Sequence, residues 1–267
     1  MWKMAERDPF RLDGRVAAVV GAASGIGEAV AAACGRQGAR VSCLDQNEAG
    51  ARAVASRITG AGGTADAAAL DIRDRAAVAS AFDALRERHG SLEIAVCTPS
   101  VNVRKPILAY SEDDLEHVLS LNLKGNFNVL QAAGRIMTAQ GRGSIVLFSS
   151  IRSQAVEPGQ SVYAATKAGI VQLVRTAAAE FGPSGVRVNA VAPGVVDTPL
   201  TAEVKSRSDW YAAYSAKNVF GRWARPEEIA EPTVFLCSDA ASYVTGAVLF
   251  VDAGWTAVDG RFQPPGM

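Results

Sequence analysis

Short apolar runs alternate along the chain with longer stretches of helical period. Arg15–Val20 reads as a strand, and apolar positions three and four apart predict a helix from Gly25 to Gln37, ended by Gly38. The alternation continues with a strand at Arg40–Asp45, a helix over Ala49–Ile58, a strand at Ala65–Leu70 and a helix from Arg75 to Arg88. Leu92–Cys97 is strand-like, and the helical period then runs unbroken from Glu112 to Ala139, predicting one long helix. Ser144–Ser149, Arg187–Val191 and Ala247–Val251 read as strands, with helices at Ser161–Phe181 and Glu227–Leu236 between them. Such repetition predicts an α/β fold: a doubly wound parallel sheet of about seven strands with helices on both faces. No linker or repeat interrupts it, so residues 1–267 are expected to form one domain, with Gly260–Met267 as a surface extension. Right-handed crossovers put the strand C-termini on one edge, where ligands bind.

Composition removes several classes of function. Lysine and arginine total 27 and aspartate and glutamate 27, so no net field recruits nucleic acid or anionic lipid. Aromatic residues are only 7% of the chain, too few for a base-stacking platform. Cys34, Cys43, Cys97 and Cys237 lie far apart and read as buried thiols in a reducing compartment. With only His89 and His117, a histidine-based zinc site or a Ser-His-Asp triad is not expected. Met1–Asp13 is too charged for a signal peptide, and no segment approaches a membrane span. The expectation is a cytoplasmic protein with no metal, membrane or nucleic-acid partner.

The chemistry begins where the first strand runs into Val20-Gly21-Ala22-Ala23-Ser24-Gly25-Ile26-Gly27-Glu28. Three glycines at a strand-to-helix turn let a pyrophosphate approach the backbone and the free N–H groups of the new helix. The same loop also suits a turn chosen only for packing. Asp45 favours the first reading: it ends the second strand, where a carboxylate accepts hydrogen bonds from both adenosine ribose hydroxyls. A 2′-phosphate there would meet like charge, which points to NAD rather than NADP. An aspartate at a strand end also serves as a helix cap.

Tyr163 and Lys167 stand four apart near the start of a helix, on one face. A cation within reach of a phenol lowers its pKa by about 1–3 units, into the range of general acid–base work. Ser150 closes the preceding strand at the binding edge, where its hydroxyl can orient a substrate oxygen.

With Gly21, Gly25 and Gly27, and with Tyr163 and Lys167, the chain resembles the short-chain dehydrogenase/reductase family from about Leu12 to Val258. The resemblance implies a Rossmann-type fold, a nicotinamide cofactor, NAD by the argument from Asp45, and a homotetramer. Ser150 stands thirteen residues before the tyrosine, as in the family, and Asn122 matches the fourth catalytic residue, in a water-linked proton relay to the lysine. Asn189-Ala190-Val191-Ala192-Pro193-Gly194 matches the loop that cups the nicotinamide. Val196 is then expected to bond the carboxamide through its backbone and Thr198 through its hydroxyl. Asp71, followed by Ile72, matches the residue beside the adenine. The tetramer would rest on the helices around Glu112–Ala139 and Ser161–Phe181 and on the last strand, with Trp255 reaching a neighbouring subunit. Two positions depart from the family: Val20 replaces a threonine whose hydroxyl ties the loop down, and Cys97-Thr98-Pro99-Ser100 replaces Asn-Asn-Ala-Gly. The second change puts a side chain at Ser100 close to the cofactor and removes an N–H at Pro99.

For the substrate, a small molecule, the segments after Ser100, Ser150 and Thr198 are expected to build the pocket, with Leu200–Phe220 as a lid. Arg152, near Arg104 and Lys105, suits an anionic group of a sugar acid, alongside sugars and polyols. The alternative is a surface pair between Arg152 and Glu157. The expected activity is NAD-dependent oxidation of a secondary alcohol, reversible to the ketone. The rivals are an NADPH-dependent 3-ketoacyl-carrier reductase and a non-catalytic NAD-binding protein.

Overall fold

The computed structural model describes residues 8–258. The chain alternates β1 (Val16–Val20), α1 (Gly25–Arg36), β2 (Arg40–Asp45), α2 (Glu48–Gly60), β3 (Thr64–Ala69), α3 (Arg75–His89) and β4 (Ile94–Cys97). It continues through α4 (Glu112–Leu119), α5 (Asn126–Gln140), β5 (Gly143–Phe148), α6 (Ser161–Phe181), β6 (Val186–Pro193), α7 (Ala202–Ser206), α8 (Ser208–Ser215), α9 (Pro226–Cys237) and β7 (Val248–Val251). The strands form one parallel sheet in the order β3-β2-β1-β4-β5-β6-β7. The order reverses between β1 and β4, and a crevice opens there beyond the strand ends.

Both faces of the sheet are covered, so its central strands are apolar throughout rather than alternating. Ala17 and Val19 of β1 pack with α1, α2 and α9 through Val30, Val54 and Ile229. Val16, Ala18 and Val20 face α3, α5 and α6 through Phe82, Val129 and Ile170. Local signals set the ends: Asn47 caps α2, Asp74 caps α3, and Gly90 closes α3 at φ +81°. The four cysteines are buried and free, and burial pushes Cys43, Cys97 and Cys237 up to about 12.

The structure differs from the sequence reading in two places. The single helix expected over Glu112–Ala139 is α4 and α5 joined by one π-helical stretch, Ser120–Gly125, which carries Asn122. A π insertion keeps the rod continuous, so the apolar period does not betray it. The expected lid contains α7 and α8, too short to show a period. The extension at Gly260–Met267 lies outside the described residues. Among the described residues, no helix is long and apolar enough to cross a membrane.

Candidate active site

The glycine turn lines a cavity of about 270 Å³ at the end of β1, together with Ser24, Ile26, Asp45, Asp71, Ile72 and Thr198. Gly21 and Gly25 have φ of +83° and +58°, which favours glycine at both. A side chain at Gly27 would collide with the Gly21 carbonyl oxygen and come within 2.7 Å of Thr98 Oγ1. Ser24 occupies the N-cap of α1 but makes no capping bond. Asp45 is held at both oxygens: Ala23 N–H donates at 3.0 Å and Asn47 N–H at 2.8 Å. The carboxylate thus ties β2 to the glycine turn while lining the cavity. Asp71 accepts from Arg73 Nη2 at 2.6 Å, which holds its carboxyl below the usual range. The Ile72 carbonyl accepts from Asn128 Nδ2 at 2.9 Å.

The proline-bearing segment lines this cavity without closing it. Thr98 Oγ donates to the Val20 carbonyl at 3.0 Å. The bond uses the backbone of Val20, so the residue after β4 ties the turn down whatever side chain stands at position 20.

Ser150, Tyr163 and Lys167 come together at the ends of β5 and α6. Ser150 accepts from Arg152 N–H at 3.2 Å and starts a tight turn. Burial pushes the Tyr163 phenol up; the Ser150 hydroxyl acts most strongly against that, followed by Arg152, the Ser100 hydroxyl and Arg104. Ser100 Oγ is buried beside this phenol and makes no well-aligned hydrogen bond. Lys167 is 2% exposed; its Nζ donates to the Phe148 carbonyl at 2.9 Å and sits 5.4 Å from the centre of the Tyr163 ring. Burial lowers this lysine to about 8. Arg152 and Arg104 also act on the phenol, and Lys167 stands above its ring.

Asn122 is buried in the π-helical stretch and grips Val101, donating to its carbonyl and accepting from its N–H, both at 2.8 Å. Its Nδ2 also donates to Thr166 Oγ at 3.3 Å. Asn122 thus fixes the loop that follows Ser100. Pro193 ends β6, and Gly194 N–H donates to Val251 O at 3.0 Å. The Val196 carbonyl accepts from Thr201 Oγ at 2.6 Å, and Thr198 N–H donates to the same hydroxyl at 3.1 Å.

A second cavity of about 510 Å³ adjoins the phenol, lined by Ser150, Tyr163, Arg104, Arg152, Trp210 and Tyr214 among others. Arg152 does pair with Glu157, but in the cavity wall rather than on the surface: its side chain is 8% exposed. Trp255 lies against Arg152 and Tyr214 of its own chain. The sequence reading missed Thr98 as a tie for the glycine turn and Gln160, 3% exposed, which accepts from Asn102 Nδ2 at 2.9 Å. Neither carries a sequence signal, because each bond depends on how distant strands and loops align.

The sequence model of the enoyl-(acyl carrier protein) reductase family matches residues 21–256. The chain is 40% identical over 249 residues to D-threitol dehydrogenase of Mycolicibacterium smegmatis, covering 92% of this chain and 95% of that protein. It is 42% identical over 247 residues to cis-4-hydroxycyclohexanecarboxylate dehydrogenase of Sinomonas cyclohexanicum, covering 91% and 97%. A gluconate 5-dehydrogenase of Burkholderia cenocepacia J2315, solved in complex with NADP and tartrate, superposes with a TM-score of 0.91 at 34% identity. That match covers 94% of this chain and 99% of the other. The chain belongs to the short-chain dehydrogenase/reductase family, whose members are oxidoreductases that bind a nicotinamide cofactor and act on hydroxyl groups.

Proposed function

We propose that this chain is an NAD-dependent dehydrogenase that oxidises a secondary alcohol of a small sugar, polyol or sugar acid, and reduces the ketone in reverse. The observation that carries the reading is the meeting of two cavities at one phenol. Tyr163 lines the wider cavity, and Ser100, beside its hydroxyl, lines the cavity of the glycine turn.

The dinucleotide fits the narrower cavity because the turn leaves the space free: side chains at Gly21 or Gly27 would strike Thr98, and one at Gly25 would press on Thr198. Ser24, Gly25, Ile26 and Gly27 would hold the pyrophosphate at the start of α1. Asp45 would hold the adenosine ribose, and Asp71 and Ile72 would border the adenine. Tyr163 and Lys167 would hold the nicotinamide ribose, with Pro193, Gly194, Val196 and Thr198 around the ring. When bound, NAD supplies the hydride acceptor.

The chain's own residues do the rest. Ser150 Oγ holds the substrate oxygen and Tyr163 Oη takes its proton. The neighbouring hydroxyls and arginines favour the phenolate, against the effect of burial. Lys167 fixes the ribose and hands the proton on, and Asn122 keeps the relay wall in place. Arg152 borders the substrate.

NADP in the superposed gluconate 5-dehydrogenase favours a second reading, an NADP-linked reductase such as a 3-ketoacyl-carrier reductase. Asp45 stands against it, since backbone N–H groups fix its charge where a 2′-phosphate would lie. The working unit is proposed to be a cytoplasmic homotetramer. The test is kcat/KM for NAD and NADP on a panel of polyols, sugars and sugar acids, followed by NADH absorbance. Preference for NADP would overturn the cofactor assignment, and no oxidation of any alcohol would overturn the reaction.

A further inference from the structure

Arg104, Arg152 and Tyr214, which line the wider cavity, meet Glu157 in one ionic knot of four side chains. Glu157 Oε1 accepts from Arg104 Nη1 at 2.6 Å, and Glu157 Oε2 accepts from Arg152 Nη2. The Tyr214 hydroxyl donates to the two carboxylate oxygens at 2.6 and 2.7 Å and accepts from Arg104 Nη2 at 2.9 Å. Two guanidinium groups therefore share one carboxylate. Arginine does not give up its proton in a protein, so the knot carries one positive charge in excess.

Other cations lining this cavity are matched one to one. Lys105 Nζ lies 2.5 Å from Asp114, and Arg207 lies 3.6 Å from Asp209. Glu203 also lines the cavity but is exposed, where water and salt screen its charge.

The excess charge is sheltered and held in place. The Arg152 side chain is 8% exposed, donates to the Ala155 carbonyl at 3.2 Å and lies 5.4 Å from the Trp255 ring centre. Arg104, 33% exposed, stands between the rings of Trp210 and Tyr214, at 5.3 and 5.9 Å. A half-buried cation without its own counter-ion is unfavourable. Arg104 lines the wider cavity beside the phenol, and Arg152 lines both that cavity and a neighbouring one of about 630 Å³, which Glu157 and Trp255 also border. The aromatic rings favour a cation there and fix the plane of each guanidinium, whose N–H groups not spent on Glu157, Tyr214 or Ala155 remain to meet a carboxylate.

We propose that Arg104 and Arg152 form an anion receptor for a single carboxylate on the substrate. The substrates are then small hydroxy monocarboxylates rather than neutral polyols. One negative charge balances the knot; a second would not. This rests on the dehydrogenase reading and narrows it. Both arginines also act on the Tyr163 phenol, so the receptor lies within electrostatic reach of the reacting end.

The test uses two matched pairs: gluconate against glucitol, and cis-4-hydroxycyclohexanecarboxylate against its carboxamide. NADH formation reports turnover. Tryptophan fluorescence of the enzyme–NADH complex reports binding alone, because Trp210 and Trp255 face the arginines. At least one acid is expected to exceed its neutral partner by about 10–100-fold in kcat/KM or in affinity. Arg104→Met, which keeps a long stem against Trp210, should erase that advantage as read by the acid-to-neutral ratio of kcat/KM and of affinity, a ratio from which any effect on the phenol common to both partners cancels. Glu157→Gln should act in the opposite direction and tighten the acid. Equal use of acids and neutral partners overturns the receptor, as does silence of both readouts toward the acids; oxidation of the neutral alcohols would still uphold the dehydrogenase reading. Binding of an acid with no NADH from any alcohol would uphold the receptor and count against the dehydrogenase.

Discussion

Thr98 donates its hydroxyl to the carbonyl of Val20 across 3.0 Å, joining the end of β4 to the start of the glycine turn. The same oxygen lies where a side chain on Gly21 or Gly27 would have to go. One bond thus sets both the height and the narrowness of the proposed dinucleotide cradle. Thr98→Val should weaken NAD binding by about 0.5–1.5 kcal/mol, the net worth of one such bond, with a smaller effect on kcat. Thr98→Ser should restore it. Titration of NADH fluorescence measures this, and unchanged affinity in the valine variant would show that the turn holds itself.

Gly27 tests the same cradle by steric means. An added methyl would run into the Gly21 carbonyl oxygen, a backbone atom that can retreat only by moving the turn. Gly27→Ala should cost about 1–3 kcal/mol of stability through overpacking, and lose more in NAD affinity than Thr98→Val. Urea unfolding and NADH titration separate the two effects. A variant that bound NADH normally would place the dinucleotide elsewhere.

How much of this was legible in the sequence follows from what each feature depends on. Strands and long helices were readable because two-sided burial writes apolar runs and 3.6-residue periods directly into the chain; Arg40–Asp45 and Ser161–Phe181 have the bounds expected. The meeting of Tyr163 with Lys167 follows from one helical turn, a local rule. The π-helical stretch at Ser120–Gly125 was hidden because it shifts the phase of a helix without breaking its apolar face. Two further cations near Tyr163 were hidden for another reason. The spacing offered Lys167, which stands at the ring, whereas Arg104 and Arg152 come from separate loops, and only the packed chain brings them to the phenol.

Tyr163 should matter far more to turnover than to cofactor binding, where Lys167 shares its proposed hold on the ribose. Removing its hydroxyl leaves the ring packed and takes away the proton acceptor, an effect of about 10²–10⁴-fold for general acid–base catalysis. Tyr163→Phe should lose kcat by that amount and weaken NADH binding by no more than about tenfold, the worth of one lost bond to the ribose. Near-normal turnover in this variant would assign the chemistry to another group.

Lys167 carries a pH signature that can be read without any substrate. Its burial lowers it from the ordinary 10.5 to about 8. Below pH 8 the amine is charged in both the folded and the unfolded chain, and folding bears the whole cost of burying that charge. Between about 8 and 10.5 the unfolded chain keeps the proton and the folded chain has released it, so stability rises with pH across this window. Above it the amine is neutral in both states and the cost is gone. The full swing is about 3 kcal/mol. Lys167→Met has no such group, and other titrations common to both proteins cancel in the comparison. The unfolding free energy of wild type minus that of Lys167→Met should therefore climb by about this amount from pH 7.5 to 10.5 in urea melts of the cofactor-free proteins. A flat difference would mean that water reaches the amine and that the lysine keeps an ordinary affinity for its proton.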